Sequence, residues 1–313
     1  MMDSESLLFL LAGAMVLDAL FGEPDWLWKR VPHPVVIAGR AISWLDRRMN
    51  LMDDSQAERR RAGILALIIL VLGAGLLGTL IENLPFGGLL AMLGAAILLA
   101  QRSLTNHVIA VADAMEVSLP EGRAAVARIV GRDPESLDEA GVARAAIESA
   151  AENFSDGVVA PAFWFAVAGL PGIMIYKLVN TADSMIGHRT PRHQAFGWAA
   201  ARLDDLMNLI PARLTAVLFL AVAMMPENAR TVWRDAPRHR SPNAGWPEAA
   251  LAAALGLVLA GPRRYGSTTV DDPWMNPEGR RTAGTGDIRR AVGHVWRAFF
   301  LGLGLVLVLG LLL

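Results

Sequence analysis

Long uncharged stretches alternate along this chain with segments crowded with charge. Ala62 through Ile81 carries no ionisable residue, and a second apolar run extends from Leu84 to Ala100 after only Glu82 and Asn83. The carboxyl-terminal run, Ala298 to Leu313, is sixteen residues without a charge. About 20 apolar residues cross the hydrocarbon of a bilayer, so the pattern predicts a close helical hairpin and a terminal spanning helix. Leu7 to Leu17 reaches spanning length if its helix continues through Asp18 to Phe21. Several separated runs of this kind argue against a bundle of buried soluble helices. The expected fold is an all-α, polytopic membrane helical bundle forming a single membrane-embedded domain over residues 1–313.

Other apolar segments are interrupted. Gly157 to Tyr176 is long enough to span, but its centre reads Gly169-Leu170-Pro171-Gly172, a turn signal. Two readings follow: a re-entrant hairpin of two half-helices, tolerated where protein or water satisfies the broken backbone, or one uninterrupted span. Leu206 to Met225 carries Pro211 and Arg213 in its first turns. Ala249 to Ala260 is too short for a span and is expected to form a buried or interfacial helix. Four or five full crossings are expected, with no internal repeat.

Charge then orients the bundle. Lys29, Arg30, Arg40, Arg47, Arg48, Arg59, Arg60 and Arg61 crowd residues 22–62, whereas the 82–86 turn has no base. The positive-inside bias places 22–62, 102–156 and 177–205 in the cytoplasm, with 227–290 a further polar segment. The chain is thus expected to be a multi-pass plasma-membrane protein whose active region faces the cytoplasm. Its opening MMDSES has no basic region, so residues 7–21 are expected to be a retained anchor and not a cleaved signal. The absence of cysteine excludes disulfides, cysteine-ligated metal and thiol catalysis. A net charge of -1 gives no reason to expect nucleic acid.

The polar segments carry candidate chemistry. Glu148, Glu152 and Asp156 recur every four residues and would repel on one helix face unless a cation compensates them. A hard divalent ion is one such cation, and a solvated surface is the equal alternative. Asn153 and Ser155 add donors beside these acids. From Lys177 to Arg189, Asn180, Asp183 and Ser184 can share a helical face, with Lys177 one turn earlier and His188 beyond. That arrangement suits a phosphorylated substrate held through Lys177 and a metal held through Asp183. Asp204 and Asp205 are adjacent and cannot point alike; one is expected to bind metal while the other anchors Arg202 or Arg213. Charge carried into an apolar helix is expensive and favours a functional role. Gly261 to Gly266, with two arginines and a tyrosine, reads as an anion clamp. No Gly-x-x-x-x-Gly-Lys-Ser/Thr pattern is present.

An ordered set of motifs carries a resemblance. Asp18-Ala19-Leu20-Phe21-Gly22-Glu23-Pro24, His33-Pro34-Val35, the run from Glu148 to Gly157, the run from Asn180 to Gly187, Ala201-Arg202-Leu203-Asp204-Asp205 and the run from Ser241 to Pro247 follow in sequence. Together they resemble the CobD/CbiB family of cobalamin-biosynthesis membrane proteins over nearly the whole chain. The resemblance implies a carbon–nitrogen ligase of the adenosylcobinamide-phosphate synthase type. Such an enzyme joins a propionate carboxylate of adenosylcobyric acid to (R)-1-amino-2-propanol O-phosphate, using ATP as cosubstrate with Mg2+. It further implies a corrinoid, aminopropanol phosphate, the lipid bilayer and other late cobalamin-synthesis proteins as partners.

On that reading Glu148, Glu152, Asp183 and Asp205 are expected to hold metal. Lys177, Arg202 and Arg213 hold phosphate or corrinoid carboxylates, and Asp204 orients a base or accepts a proton. Asp204, Asp205, Lys177 and Arg202 form the catalytic set, while His33, Asn153, Asn180, Ser184, Arg213 and Asn243 contribute to ligand binding. Taken without the resemblance, intramembrane charge and broken helices suit a corrinoid or anion transporter, or a membrane assembly scaffold, equally well.

Overall fold

The computed structural model describes residues 4–130, 134–225, 227–265, 268–270 and 272–313, apart from the side chains of residues 25, 263–265 and 268–270. Its α-helices run α1 Ser4–Phe21, α2 Asp25–Trp28, α3 Pro34–Met49, α4 Gln56–Glu82, α5 Gly87–Leu98, α6 Gln101–Val117 and α7 Leu119–Val126. They continue as α8 Glu139–Phe154, α9 Ala160–Ile186, α10 Trp198–Met207, α11 Leu209–Ala223, α12 Asn228–Asp235, α13 Gly245–Leu255 and α14 Thr285–Leu312. Two short antiparallel pairings, Leu259–Ala260 with Trp274–Met275 and Arg263–Tyr265 with Thr268–Val270, interrupt an otherwise helical chain.

The polytopic helical architecture expected from the apolar runs is present. Among the described residues five helical runs are long and apolar enough to cross a membrane: Ser4–Phe21, Gln56–Glu82, Gly87–Val117, Glu139–Ile186 and Thr285–Leu312. Counting α10 with α11 gives six. Only 11% of the most apolar window of α4 is buried. Leu65, Ile68, Ile69, Leu72, Leu76, Leu77 and Leu80 all lie exposed on that helix. Leaving each such side chain in water costs about 1.5–3 kcal/mol relative to burial, so this face requires hydrocarbon as its solvent.

The chain divides into two compact units. One comprises residues 101–159 and 209–305. Within it α8 ends in a π-helical turn at Ser155–Val159, and Phe154 packs on Phe219 with ring centroids 5.3 Å apart. Helix α13 is buried from Gly245 through Leu255 apart from Trp246, so the short apolar run there is a core helix and not a span.

The other unit comprises residues 1–100, 160–208 and 306–313. Its core joins Ile42 and Leu45 of α3, Ala66 and Leu67 of α4, Tyr176, Val179 and Ala182 of α9, and Phe196 and Ala200 around α10. Ser55 and Glu58 start α4 with a reciprocal capping box. Opposite that end, Glu82 does more than terminate the helix. Helix α9 breaks at Ala168 and Gly169, whose φ/ψ values are −143°/23° and 61°/−151°. The turn signal therefore falls one residue earlier than its sequence centre. The second value lies in a region open essentially to glycine alone, and a Cβ there would meet the Glu82 carboxylate. Glu82 Oε1 accepts a hydrogen bond from Leu170 N at 2.7 Å. One of the orphan amides of the restarted helix is thereby satisfied.

Replacing Glu82 by Ala strands that amide, and the expected loss is about 1–3 kcal/mol. Glu82→Gln keeps an acceptor and should recover most of it. Thermal unfolding of the full chain in detergent reads the difference; equal stability of the two variants would show that the amide finds another partner.

Candidate active site

Beyond its break, α9 presents two polar faces. On the face toward α10, the buried Tyr176 hydroxyl donates to Asn208 Oδ1 at 2.9 Å. Asn208 Nδ2 donates to Asp204 Oδ2 at 3.1 Å, and Asn180 Nδ2 donates to Asp204 Oδ1 at 3.2 Å. The spacing explains the network: Tyr176 and Asn180 are one helical turn apart on α9, and Asp204 and Asn208 are one turn apart along α10 and its end. Each carboxylate oxygen of Asp204 therefore receives one amide. Asp183 and Asp205 lie within electrostatic range of Asp204 and of each other, with His188 close to Asp183. Arg202 Nη1 donates to Asp205 Oδ2 at 3.2 Å, so the acid that anchors the arginine is Asp205, the one expected to hold metal, and not its neighbour Asp204. Gly187 keeps room for Asp183, since a Cβ at that position would coincide with Asp183 Oδ1.

Lys177 lies on the other face. Six residues separate it from Asp183, about 120° around a helix of 3.6 residues per turn. With Thr181 it lines a cavity of about 670 Å³ between α3, α4, α5 and α9. Lys177 and Asp183 therefore do not share the single face that their spacing proposed. Ser184 is used within the helix, its hydroxyl donating to the Asn180 carbonyl at 2.9 Å.

His33 caps α3, accepting from Val35 N through Nδ1 at 3.2 Å. Its ring meets Trp28 edge-on at 4.5 Å. Burial is the main cause holding its pKa below the ordinary imidazole value; Lys177 adds to this, while Glu23 and the Ile97 carbonyl oppose it. The turn reading of His-Pro is the structural part of its role, and its neighbours bring it beside Lys177.

A polar clamp fixes the loop that follows α9. Asp46 accepts from Asn50 Nδ2 at 2.7 Å and from Arg192 Nη2 at 2.8 Å, with His193 Nε2 3.6 Å away. Arg59 Nε donates to Asn50 Oδ1 at 2.8 Å and its Nη2 reaches the Arg192 carbonyl. Burial alone would raise the Asp46 pKa; the Asn50 and Arg192 hydrogen bonds, with the charges of Arg192 and His193, outweigh it and hold the carboxyl below its usual range. Residues 46–59 and 190–193 thus meet at one end of their unit. Sequence reasoning missed this clamp and the Glu82 cap. The one available signal for the cap was a carboxylate isolated between apolar runs.

The remaining expected ligands fall in the other unit. Glu148 is buried and accepts from Ala260 N at 2.9 Å, whereas Glu152 is exposed. Their regular spacing therefore does not give them a common environment. Asn153 Nδ2 donates to the Ser149 carbonyl and hydroxyl at 2.9 and 3.0 Å. Arg213 stacks over Trp246 at 4.6 Å and donates to the Leu209 carbonyl. Asn243 is buried in a turn held by the Ser241 hydroxyl. The arginine and tyrosine side chains of the expected 261–266 clamp lie outside the described residues, as does residue 266. Among the described residues no group of three or more His, Asp or Glu could by itself hold a metal ion. Asp183, Asp204 and Asp205 contribute carboxylate oxygens, the hard donor type that Mg2+ takes together with water and substrate oxygens.

Spanning helices around a carboxylate–amide cluster and a large cavity define a polytopic membrane protein with an enzyme-like polar site. The family model described as CobD/Cbib protein matches residues 11–295. A cobalamin biosynthesis protein CobD from Sinorhizobium sp is 50% identical, covering 99% of this chain and all of the relative. A protein of the same description from Rhizobium meliloti (strain 1021) is 51% identical over 92% of both chains, and one from Rhodobacter capsulatus is 47% identical over 95% of both. No solved structure matches the chain. This chain belongs to the CobD/CbiB family, and its role is an enzymatic one in cobalamin biosynthesis.

The Tyr176–Asn208–Asp204 link should be energetically coupled. Tyr176→Phe and Asn208→Ala should each destabilise the protein by about 1–3 kcal/mol by leaving a buried partner unmatched. The double variant should cost less than the sum by at least about 0.5 kcal/mol. Strict additivity in thermal unfolding would break the link.

Proposed function

We propose that this protein catalyses ATP-dependent amide formation between a propionate carboxylate of adenosylcobyric acid and (R)-1-amino-2-propanol O-phosphate, giving adenosylcobinamide phosphate. The observation that carries the reading is the Asp183, Asp204 and Asp205 cluster in the unit that also holds Lys177 and Arg202. A carboxylate acylates poorly because oxide is a bad leaving group. Attack of its oxygen on the terminal phosphorus of ATP releases ADP and leaves an acyl phosphate. The amine then attacks the acyl carbon, gives up a proton and expels inorganic phosphate.

Each chain residue has a distinct task in this scheme. Asp204, held at both oxygens by Asn180 and Asn208, is the oriented carboxylate that takes the amine proton. Lys177 and Arg202 hold anionic oxygens of the two reactants, with guanidinium suited to carboxylate or phosphate. Asp183 and Asp205 would hold Mg2+, which neutralises phosphate charge when bound. The alignment of amine and acyl carbon supplies the remaining advantage. The segments at 22–62 and 177–205 face the cytoplasm, where ATP is present.

A reconstituted assay with adenosylcobyric acid, aminopropanol phosphate, ATP and Mg2+, read by corrinoid product mass, tests the chemistry; movement of unchanged corrinoid across a sealed bilayer would instead support transport. Asp183→Asn, nearly isosteric, should raise the Mg2+ requirement roughly tenfold or more while membrane insertion is retained. Lys177→Ala and Arg202→Ala should raise the requirement for substrate with residual turnover at saturation. Unchanged substrate dependence with collapsed turnover would move either base from capture to stabilisation of the reacting charge.

Sidedness has its own check, clean because the parent chain has no cysteine. Exposed positions 53 and 194 should be labelled as single cysteines from the cytoplasmic face only. Labelling from opposite faces would overturn the placement.

A further inference from the structure

The cavity between α3, α4, α5 and α9 is of the size that binds small molecules, about 670 Å³. Its chemistry is unlike that of the polar cluster on the neighbouring face of α9. Apart from Lys177 and Thr181, every lining residue is apolar. A corrinoid rim rich in amides and carboxylates would leave polar groups unmatched against these walls. Among the lining residues Ile69 and Leu77 of α4 and Leu93 of α5 are 48%, 51% and 43% exposed. The cavity therefore opens sideways along helices whose outer surfaces require hydrocarbon. From Ile69 to Ile81 it follows α4 for about 18 Å, along the part of the helix that ends at Glu82.

At the α3 edge a second hollow of about 470 Å³ adjoins it, sharing Val35 and Thr181 and lined also by Arg40, Ser43 and Arg47. Arg40 and Arg47 are two helical turns apart, and both are exposed. Neither takes part in an ion pair among the described residues. Val36, Ile37 and Trp44 are exposed on the same helix. Arginines combined with exposed apolar residues and a tryptophan are the marks of a helix at the headgroup level.

We infer that this cleft holds one acyl chain of an anionic bilayer phospholipid, whose phosphate lies against Arg40 and Arg47. The apolar wall matches the chain and the two cations match the headgroup. The cleft includes Lys177, which the proposed function assigns to a reactant anion, but its apolar wall and the Arg40–Arg47 pair lie outside that assignment, so the inference does not rest on it.

Gly73 provides the test, because it lines the cleft and a Cβ built there meets nothing within 4 Å. Gly73→Leu should fill the cleft without disturbing its neighbours. The full chain is reconstituted in vesicles of phosphatidylcholine with phosphatidylglycerol, re-extracted in mild detergent and examined by native mass spectrometry. The parent and Gly73→Ala should keep one phosphatidylglycerol per chain, and Gly73→Leu should lose it with unchanged thermal unfolding. The double variant Arg40→Gln/Arg47→Gln should lose the preference for phosphatidylglycerol over phosphatidylcholine, a change on the order of tenfold for two arginines. This second variant carries the test should Gly73→Leu fail to fold. Retention of the lipid by a folded Gly73→Leu, an undiminished preference in the arginine variant, or displacement of the lipid by adenosylcobyric acid, aminopropanol phosphate or inorganic phosphate would overturn the inference.

Discussion

A helix that restarts inside a protein leaves backbone amides without intrahelical partners, and Glu82 satisfies one of them, Leu170 N, at the break of α9. The distinctive geometry of the unit follows from it. Because α9 restarts after Gly169, its second half runs on from the contact with α4. The residues from Tyr176 to Gly187 then reach α10 on one face and the cavity on another. A carboxylate at a helix N-terminus is favourable in two ways here: it accepts the amide and meets the positive end of the peptide dipoles.

The two faces divide the chemistry. Amides and carboxylates interlock where α9 meets α10, producing a rigid acid whose oxygens are both held. Apolar walls with a single lysine and a threonine line another face. One helix therefore presents an interlocked polar face and a largely apolar one, with Lys177 as the cation of the second.

Much of this was legible in the chain itself. Uncharged length disclosed the spans from Ser4–Phe21, Gln56–Glu82 and Thr285–Leu312, because a bilayer imposes a minimum run of apolar residues. Gly169-Leu170-Pro171-Gly172 marked a turn signal and left a hairpin and an uninterrupted span open, and α9 does break there, at Ala168 and Gly169; the pairing of Asn208 with Asp204 emerged only with the fold. What periodicity could not convey was which neighbour each face would meet. Lys177 and Asp183 looked like partners in sequence yet point to different surfaces. Glu148 and Glu152 looked equivalent, and one is buried against a backbone amide while the other is exposed. The Asp46 clamp depends on groups 146 residues apart, a pairing that local spacing does not encode.

That clamp also sets a timetable for biosynthesis. Arg59 reaches the carbonyl of a residue 133 positions later, so Asn50 and Arg59 leave the ribosome long before the loop that completes their network. At about 5–20 residues per second, the interval is roughly 7–27 s. Throughout it α3, with its exposed tryptophan and arginines, lacks its final tether and must be carried by the membrane surface or by the insertion machinery. Slower translation between the two segments would lengthen this interval.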